Sequence, residues 1–119
     1  MDAAIMKMVM AVGLTVIFEL LAFVLFIKRK VPKAERKLWV ACIIGLNLFT
    51  NPLAQVVYYN LAHLMTDLWG WLSTEFIVII TEALLIHWVM QVRVKSSFVY
   101  SVILNSTSIL LGELITWVL

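Results

Sequence analysis

The sequence has very few of the residues that enzymes and cofactor-binding proteins use to build their sites. It has one cysteine, two histidines, two prolines and four glycines in 119 residues, and 13% of its residues are charged. Cys42 cannot form an internal disulfide by itself. No phosphate-binding glycine loop, H-E-x-x-H metalloprotease motif or G-x-S-x-G nucleophile motif occurs. An enzyme is therefore the weaker interpretation, and we predict no catalytic residue and no cofactor.

Long apolar runs occupy most of the chain. Hydrophobic residues make up 64% of it, and the mean hydropathy is +1.05. Four runs, at about 4–27, 38–60, 71–92 and 98–119, each hold the roughly 20 apolar residues that a helix needs to cross a bilayer. We predict an all-α polytopic membrane protein in which residues 1–119 form one domain of four transmembrane helices.

The basic residues predict the orientation of these helices. Eight of the nine lie in the first and third connections between the runs; they are Lys28, Arg29, Lys30, Lys33, Arg36, Lys37, Arg93 and Lys95. The second connection has no basic residue and carries Asp67. The positive-inside rule therefore places both basic connections in the cytoplasm and both termini outside. Beside a bilayer, such loops favour anionic lipid over nucleic acid as a partner.

Four acidic residues lie inside the apolar runs. They are Glu19, Glu75, Glu82 and Glu113, and no Lys or Arg lies deep in any run to pair with them. An ionised acid at the bilayer centre costs roughly 2.5–3.5 kcal/mol. Each must therefore be protonated, hydrogen-bonded, bound to a cation, exposed to water or paired with a partner chain.

The depth of the polar residues predicts one central polar layer. At about 1.5 Å of rise per residue, Glu82 falls near the midplane and the other deep residues within roughly 5 Å of it, while two acids lie about 7–10 Å toward the outside. All four helices contribute to this arrangement. The predicted ligand-binding residues are Glu19, Asn47, Asn51, Glu75, Glu82, Asn105 and Glu113. Their spacing specifies no particular metal.

Four residues interrupt the apolar sequence of the second run: Asn47, Asn51, Pro52 and Gln55. The steps of four predict a polar stripe that faces the bundle core. Pro52 has no N–H, so it leaves the Leu48 carbonyl without its helical partner. Two interpretations remain open. One is a tolerated proline kink with asparagines that bridge helices, and the other is a ligand site that uses the opened backbone.

The stretch "NLFTNPL" at 47–53, followed by Glu75 and by "EALL" at 82–85, resembles a pattern in small four-helix bacterial inner-membrane proteins of unassigned function. The resemblance covers mainly the middle half of the chain. It implies a multi-pass protein of a prokaryotic inner membrane. It brings no activity, substrate or catalytic residue with it.

Two classes of function follow from the acidic interior. In the first, the protein binds or translocates a cation, a proton or a small polar cationic solute, and a homo-oligomer or larger complex completes the pathway. In the second, it is an accessory subunit whose acids pair with basic residues of a partner chain. The direction of the acids separates these hypotheses, because Glu19 and Glu82 must converge inside one chain in the first and face outward in the second.

Overall fold

The computed structural model describes residues 2–118 and is helical almost throughout, which confirms the all-α prediction. Helix α1 spans Ala3–Ala22 and continues into a π-helical turn at Phe23–Ile27 and a 3-10 turn at Lys28–Lys30. A second 3-10 turn, Lys33–Glu35, leads into helix α2, Arg36–Ala62. Helices α3, Asp67–Met90, and α4, Val94–Val118, complete the fold. Residue 119, where the last predicted run ends, lies outside the described residues.

The four helices form a closed antiparallel bundle. Each helix packs against the next one along the chain, and α4 packs back against α1. The connections are short, so consecutive helices run in opposite directions. The bundle measures 42 × 29 × 26 Å.

The helix ends are defined by local hydrogen bonds. The Thr66 hydroxyl accepts from the backbone N–H of Trp69 and caps the start of α3. At the other end, α3 stops at Gln91, whose φ of 54° is left-handed. His87 Nδ1 donates to the Val92 carbonyl at 2.6 Å and fixes the turn into α4. The side chain of His87 is therefore engaged in a structural hydrogen bond at the end of α3.

The bundle is apolar outside and partly polar inside. Large apolar side chains such as Phe76 and Trp88 are exposed, Trp88 to 76%. Buried polar side chains include Glu19, Asn47, Thr50, Thr74, Glu82, Ser97, Ser101 and Asn105. A water-soluble protein shows the reverse pattern. The four helical segments are also long and apolar enough to cross a membrane, which makes the fold compatible with a multi-pass membrane protein.

An apolar core fills the end of the bundle that carries the two basic connections. Its centre is an aromatic cluster of Phe23, Trp39 and Tyr100, which we call the aromatic plug. The Trp39 ring stacks on Phe23 at a centroid distance of 6.0 Å and meets Tyr100 edge-on at 5.4 Å. Ile27, Ile43, Ile86, Met90 and Leu104 pack in the same core. This end of the bundle is therefore closed.

Candidate functional site

A cavity of about 320 Å³ lies between the helices beyond the apolar core. Its floor is formed by buried residues of the polar layer, and its mouth by the exposed side chains of Trp71 and Glu113. It opens at the end of the bundle opposite the aromatic plug. We call it the acidic cavity; it is lined by Thr15, Asn47, Thr50, Asn51, Ala54, Trp71, Glu75, Val78, Glu82, Asn105, Ser108, Ile109, Gly112 and Glu113.

Glu82 forms the centre of the cavity floor and is 1% exposed. Its Oε2 accepts a hydrogen bond from Asn105 Nδ2 of α4 at 2.6 Å. Its Oε1 lies 2.8 Å from the Thr50 hydroxyl of α2. The carboxylate of α3 is thereby connected to both neighbouring helices, and each of its oxygens has a partner.

The Thr50 hydroxyl has a second neighbour, the Leu46 carbonyl oxygen, also at 2.8 Å. A hydroxyl has one hydrogen but can also accept. When Glu82 is ionised, Thr50 can donate to Oε1. When Glu82 is protonated at Oε1, the acid can donate to Thr50, which then donates to Leu46. Glu82 therefore keeps a partner at Oε1 in both protonation states.

Glu19 lies beside this floor on α1 and is also 1% exposed. Its carboxylate interacts electrostatically with those of Glu82 and Glu75, and it forms a side-chain hydrogen bond with Asn47. Its Oε2 is buried and has no hydrogen-bond partner among the residues that the structure describes. A buried polar atom without a partner is costly, so this oxygen is the point in the polar layer that a ligand or a proton would satisfy.

Helix α2 contributes Asn47 and Asn51 to the cavity wall. Asn47 donates to the Ile43 carbonyl at 2.9 Å, and Asn51 donates to the Asn47 side-chain oxygen at 3.3 Å. Both of these bonds stay within α2, while the Asn47 side chain also interacts with Glu19 of α1. The helix continues through Pro52, whose side chain is exposed.

The prediction that Gln55 faces the core is wrong, because its side chain is exposed. A step of four residues overshoots one helical turn by about 40°. Two such steps from Asn47 turn Gln55 roughly 80° away from the cavity. The stripe therefore ends at Asn51, and Ala54 takes the next position on the cavity wall.

The two outer acids lie nearer the mouth. Glu75 is half-buried on α3, one side of the cavity, and Glu113 is exposed on α4. Six of the seven predicted ligand-binding residues thus line one cavity, and the seventh, Glu19, lies next to its floor. The sequence reasoning left out Thr50 and Trp71. Thr50 follows Asn47 by three residues, a spacing that marks it as a member of the same face.

The acids of the cavity are too dispersed for a conventional metal centre. Within residues 2–118, no three His, Cys, Asp or Glu side chains are placed to hold one metal ion together. Comparison of the chain with models of protein families, with curated proteins and with solved structures finds no match. The argument about function therefore depends on the site itself.

Proposed function

We propose that this chain is a multi-pass membrane protein whose acidic cavity binds a small cation in exchange for a proton. The observation that carries this proposal is the buried carboxylate of Glu82 at the floor of an open cavity. Among the described residues, no Lys or Arg side chain lines that cavity to neutralise its acids. A cation from outside the chain is the missing counter-charge.

The proposed orientation of the protein in the membrane follows from the basic connections. Exposed Lys and Arg side chains surround the closed end of the bundle, near the aromatic plug. With that end in the cytoplasm of a prokaryotic cell and both ends of the chain outside, the acidic cavity opens outward. Glu75 and Glu113 near the mouth then attract cations from the external medium.

The exchange with a proton follows from the partners of Glu82. The Thr50 hydroxyl can serve the carboxylate and the carboxylic acid equally well, because it donates to one and accepts from the other. A cation and a proton therefore compete for the same oxygens. Cation binding should release a proton and should weaken as pH falls.

The closed inner end favours a binding site over an open pore. The aromatic plug blocks the bundle beyond the polar layer, so translocation requires Phe23, Trp39 and Tyr100 to move apart. Phe23 begins the π-helical turn, and such turns are frequent at functional sites. The burial of Glu19 and Glu82 inside one chain supports this function over that of an accessory subunit, whose acids would face a partner.

Reconstituted protein tests the proposal. Purified protein in liposomes is exposed to a panel of monovalent, divalent and organic cations while a pH-sensitive dye reports proton release. Wild type should release protons on addition of a bound cation. Glu82→Gln and Glu19→Gln should abolish this signal, because the amide cannot ionise.

Glu35→Gln is the matched control, since Glu35 is an exposed acid in a basic connection far from the cavity. It should behave like wild type. Size-exclusion chromatography and circular dichroism confirm that each variant is folded. Identical, dye-silent behaviour of wild type and both cavity variants across the panel would refute cation binding and favour the accessory-subunit hypothesis.

A further inference from the structure

The acids of the cavity are arranged at two depths rather than around one point. On α3, Glu75, Val78 and Glu82 are spaced by three and four residues and share one face of the helix. All three line the cavity. From mouth to floor, this wall therefore presents an acid, an apolar side chain and a second acid.

Helix α4 lines the adjacent wall with a similar order, in which an amide takes the place of the floor acid. Asn105, Ile109 and Glu113 are spaced by four residues and also line the cavity. The bond between Asn105 and Glu82 joins the two helices at the cavity floor. Because α4 runs from the floor toward the mouth, Ile109 lies nearer the mouth than Asn105, and Glu113 lies nearer still.

A second bond joins the same helices. The Ser101 hydroxyl donates to the Ile79 carbonyl at 2.7 Å, one turn deeper than Asn105 on α4. The two bonds hold α3 and α4 side by side. The cavity therefore has acids at its floor and at its mouth, and Val78 and Ile109 lie between them along their helices.

One buried oxygen next to the floor has no hydrogen-bond partner among the described residues: Oε2 of Glu19. Glu19 interacts electrostatically with Glu82. One ammonium group has three N–H donors, enough to serve more than one carboxylate oxygen. At the mouth, the ring of Trp71 adds a surface that attracts organic cations.

We propose that the ligand of the acidic cavity is a linear diammonium compound, with one charged end on the floor, its methylene chain along Val78 and Ile109, and its other end at the mouth. This inference rests on the proposed function and names the class of cation. Glu75 and Glu82 are about 10 Å apart along α3.

The same spacing sets the expected length of the ligand. Each ammonium nitrogen stands about 2.8 Å from its carboxylate oxygen, so roughly four to six methylene groups fit between the two ends. A single metal ion fits the arrangement poorly. Hard cations such as Ca²⁺ need about 6–8 oxygen ligands around one point, whereas these acids are spread over two levels.

The test is a titration of the purified protein with a series of α,ω-diaminoalkanes of increasing length, at constant pH and ionic strength. Calorimetry reports binding. The five-carbon diamine should bind at least tenfold more tightly than pentylamine, its matched monoamine. Affinity should pass through a maximum at intermediate length and fall for shorter and longer chains.

Variants of the two acids near the mouth test which carboxylates bind the second ammonium group. Glu113→Gln, and the double variant with Glu75→Gln, should bring the diamine down to the affinity of pentylamine, while pentylamine itself changes less than twofold. Glu113 is exposed, so its single variant is expected to fold. Glu35→Gln should leave both ligands unchanged.

The outcomes separate this inference from the proposed function. Equal binding of diamine and monoamine, or of metal ions alone, with loss of binding in Glu82→Gln, would overturn the diammonium assignment and leave cation binding intact. Absence of binding by every amine and every metal ion would overturn both. A length optimum that survives Glu75→Gln with Glu113→Gln would also overturn the assignment, because the second charge would then lie elsewhere.

Discussion

At the scale of single residues, one carboxylate organises the bundle. Glu82 contacts a hydroxyl of α2 and an amide of α4, so three helices meet at its two oxygens. The partners are uncharged, and they leave the acid able to gain or lose a proton without losing its hydrogen bonds. A basic partner would have fixed one charge state and neutralised the acid.

Asn105 should contribute to stability mainly through Glu82. Replacing it with alanine leaves Glu82 Oε2 buried without its donor, which should lower the free energy of unfolding by about 1–3 kcal/mol. Thermal unfolding in detergent measures the loss.

Asn60→Ala is the control for this change. Asn60 also bonds the carbonyl four residues back, that of Val56, but it is exposed and makes no contact with an acid. Its variant should change the unfolding free energy by less than about 0.5 kcal/mol. Equal losses of unfolding free energy in the two variants would show that the bond to Glu82 contributes no more to stability than the exposed bond of Asn60.

At the scale of helices, the ends are fixed by local chemistry and the faces by packing. Asp67 lies in the first turn of α3, where its charge opposes the helix dipole, and Thr66 caps that turn. The C-terminal end of α3 is conformationally strained, because Gln91 adopts a left-handed backbone conformation. For a residue with a side chain, that conformation costs about 1–2 kcal/mol. Gly is the residue that usually occupies this position.

Gln91→Gly should therefore stabilise the protein by about 0.5–1 kcal/mol, since glycine adopts positive φ without steric cost. The measurement is the same thermal unfolding experiment. The connection keeps its hydrogen bond from His87 to Val92, because that bond uses the backbone of the following residue.

Gln55→Gly makes the same chemical change inside a right-handed helix at an exposed position. There it should destabilise by about 1 kcal/mol, the usual cost of glycine in a helix interior. Opposite signs for the two variants are the expected result. Destabilisation by both would mean that the left-handed turn carries no strain that glycine relieves.

At the scale of the whole molecule, the two ends of the bundle differ. One end is apolar, closed and surrounded by basic connections, and the other is acidic and open. This polarity matches the charge asymmetry that orients membrane proteins. In the proposed topology, the acidic cavity therefore opens away from the cytoplasm.

Cysteine labelling checks the orientation. In a Cys42→Ala background, Leu64→Cys should react with a membrane-impermeant maleimide on intact cells, and Ala34→Cys only after permeabilisation. Both positions are exposed, Leu64 to 79%, and neither caps a helix. Labelling of Ala34→Cys from outside intact cells would contradict the proposed topology.

The sequence by itself determined the number of helices and the position of each polar residue along them. Both follow from length and fixed rise, since a helix advances about 1.5 Å per residue whatever it packs against. That arithmetic predicted one layer of Glu19, Asn47, Asn51, Glu82 and Asn105; four of these are buried, and Asn51 is half-buried on the cavity wall.

Only the tertiary structure decided which way each residue turns and what it meets. Gln55 is rotated out although it continues the spacing of Asn47 and Asn51, because the neighbouring helices define where the inside is. For the same reason, Thr50 became the partner of Glu82, and Trp71 lines the mouth of the cavity. The closure of the basic end of the bundle depends on rings from α2, α4 and the turn after α1, and no single segment encodes that contact.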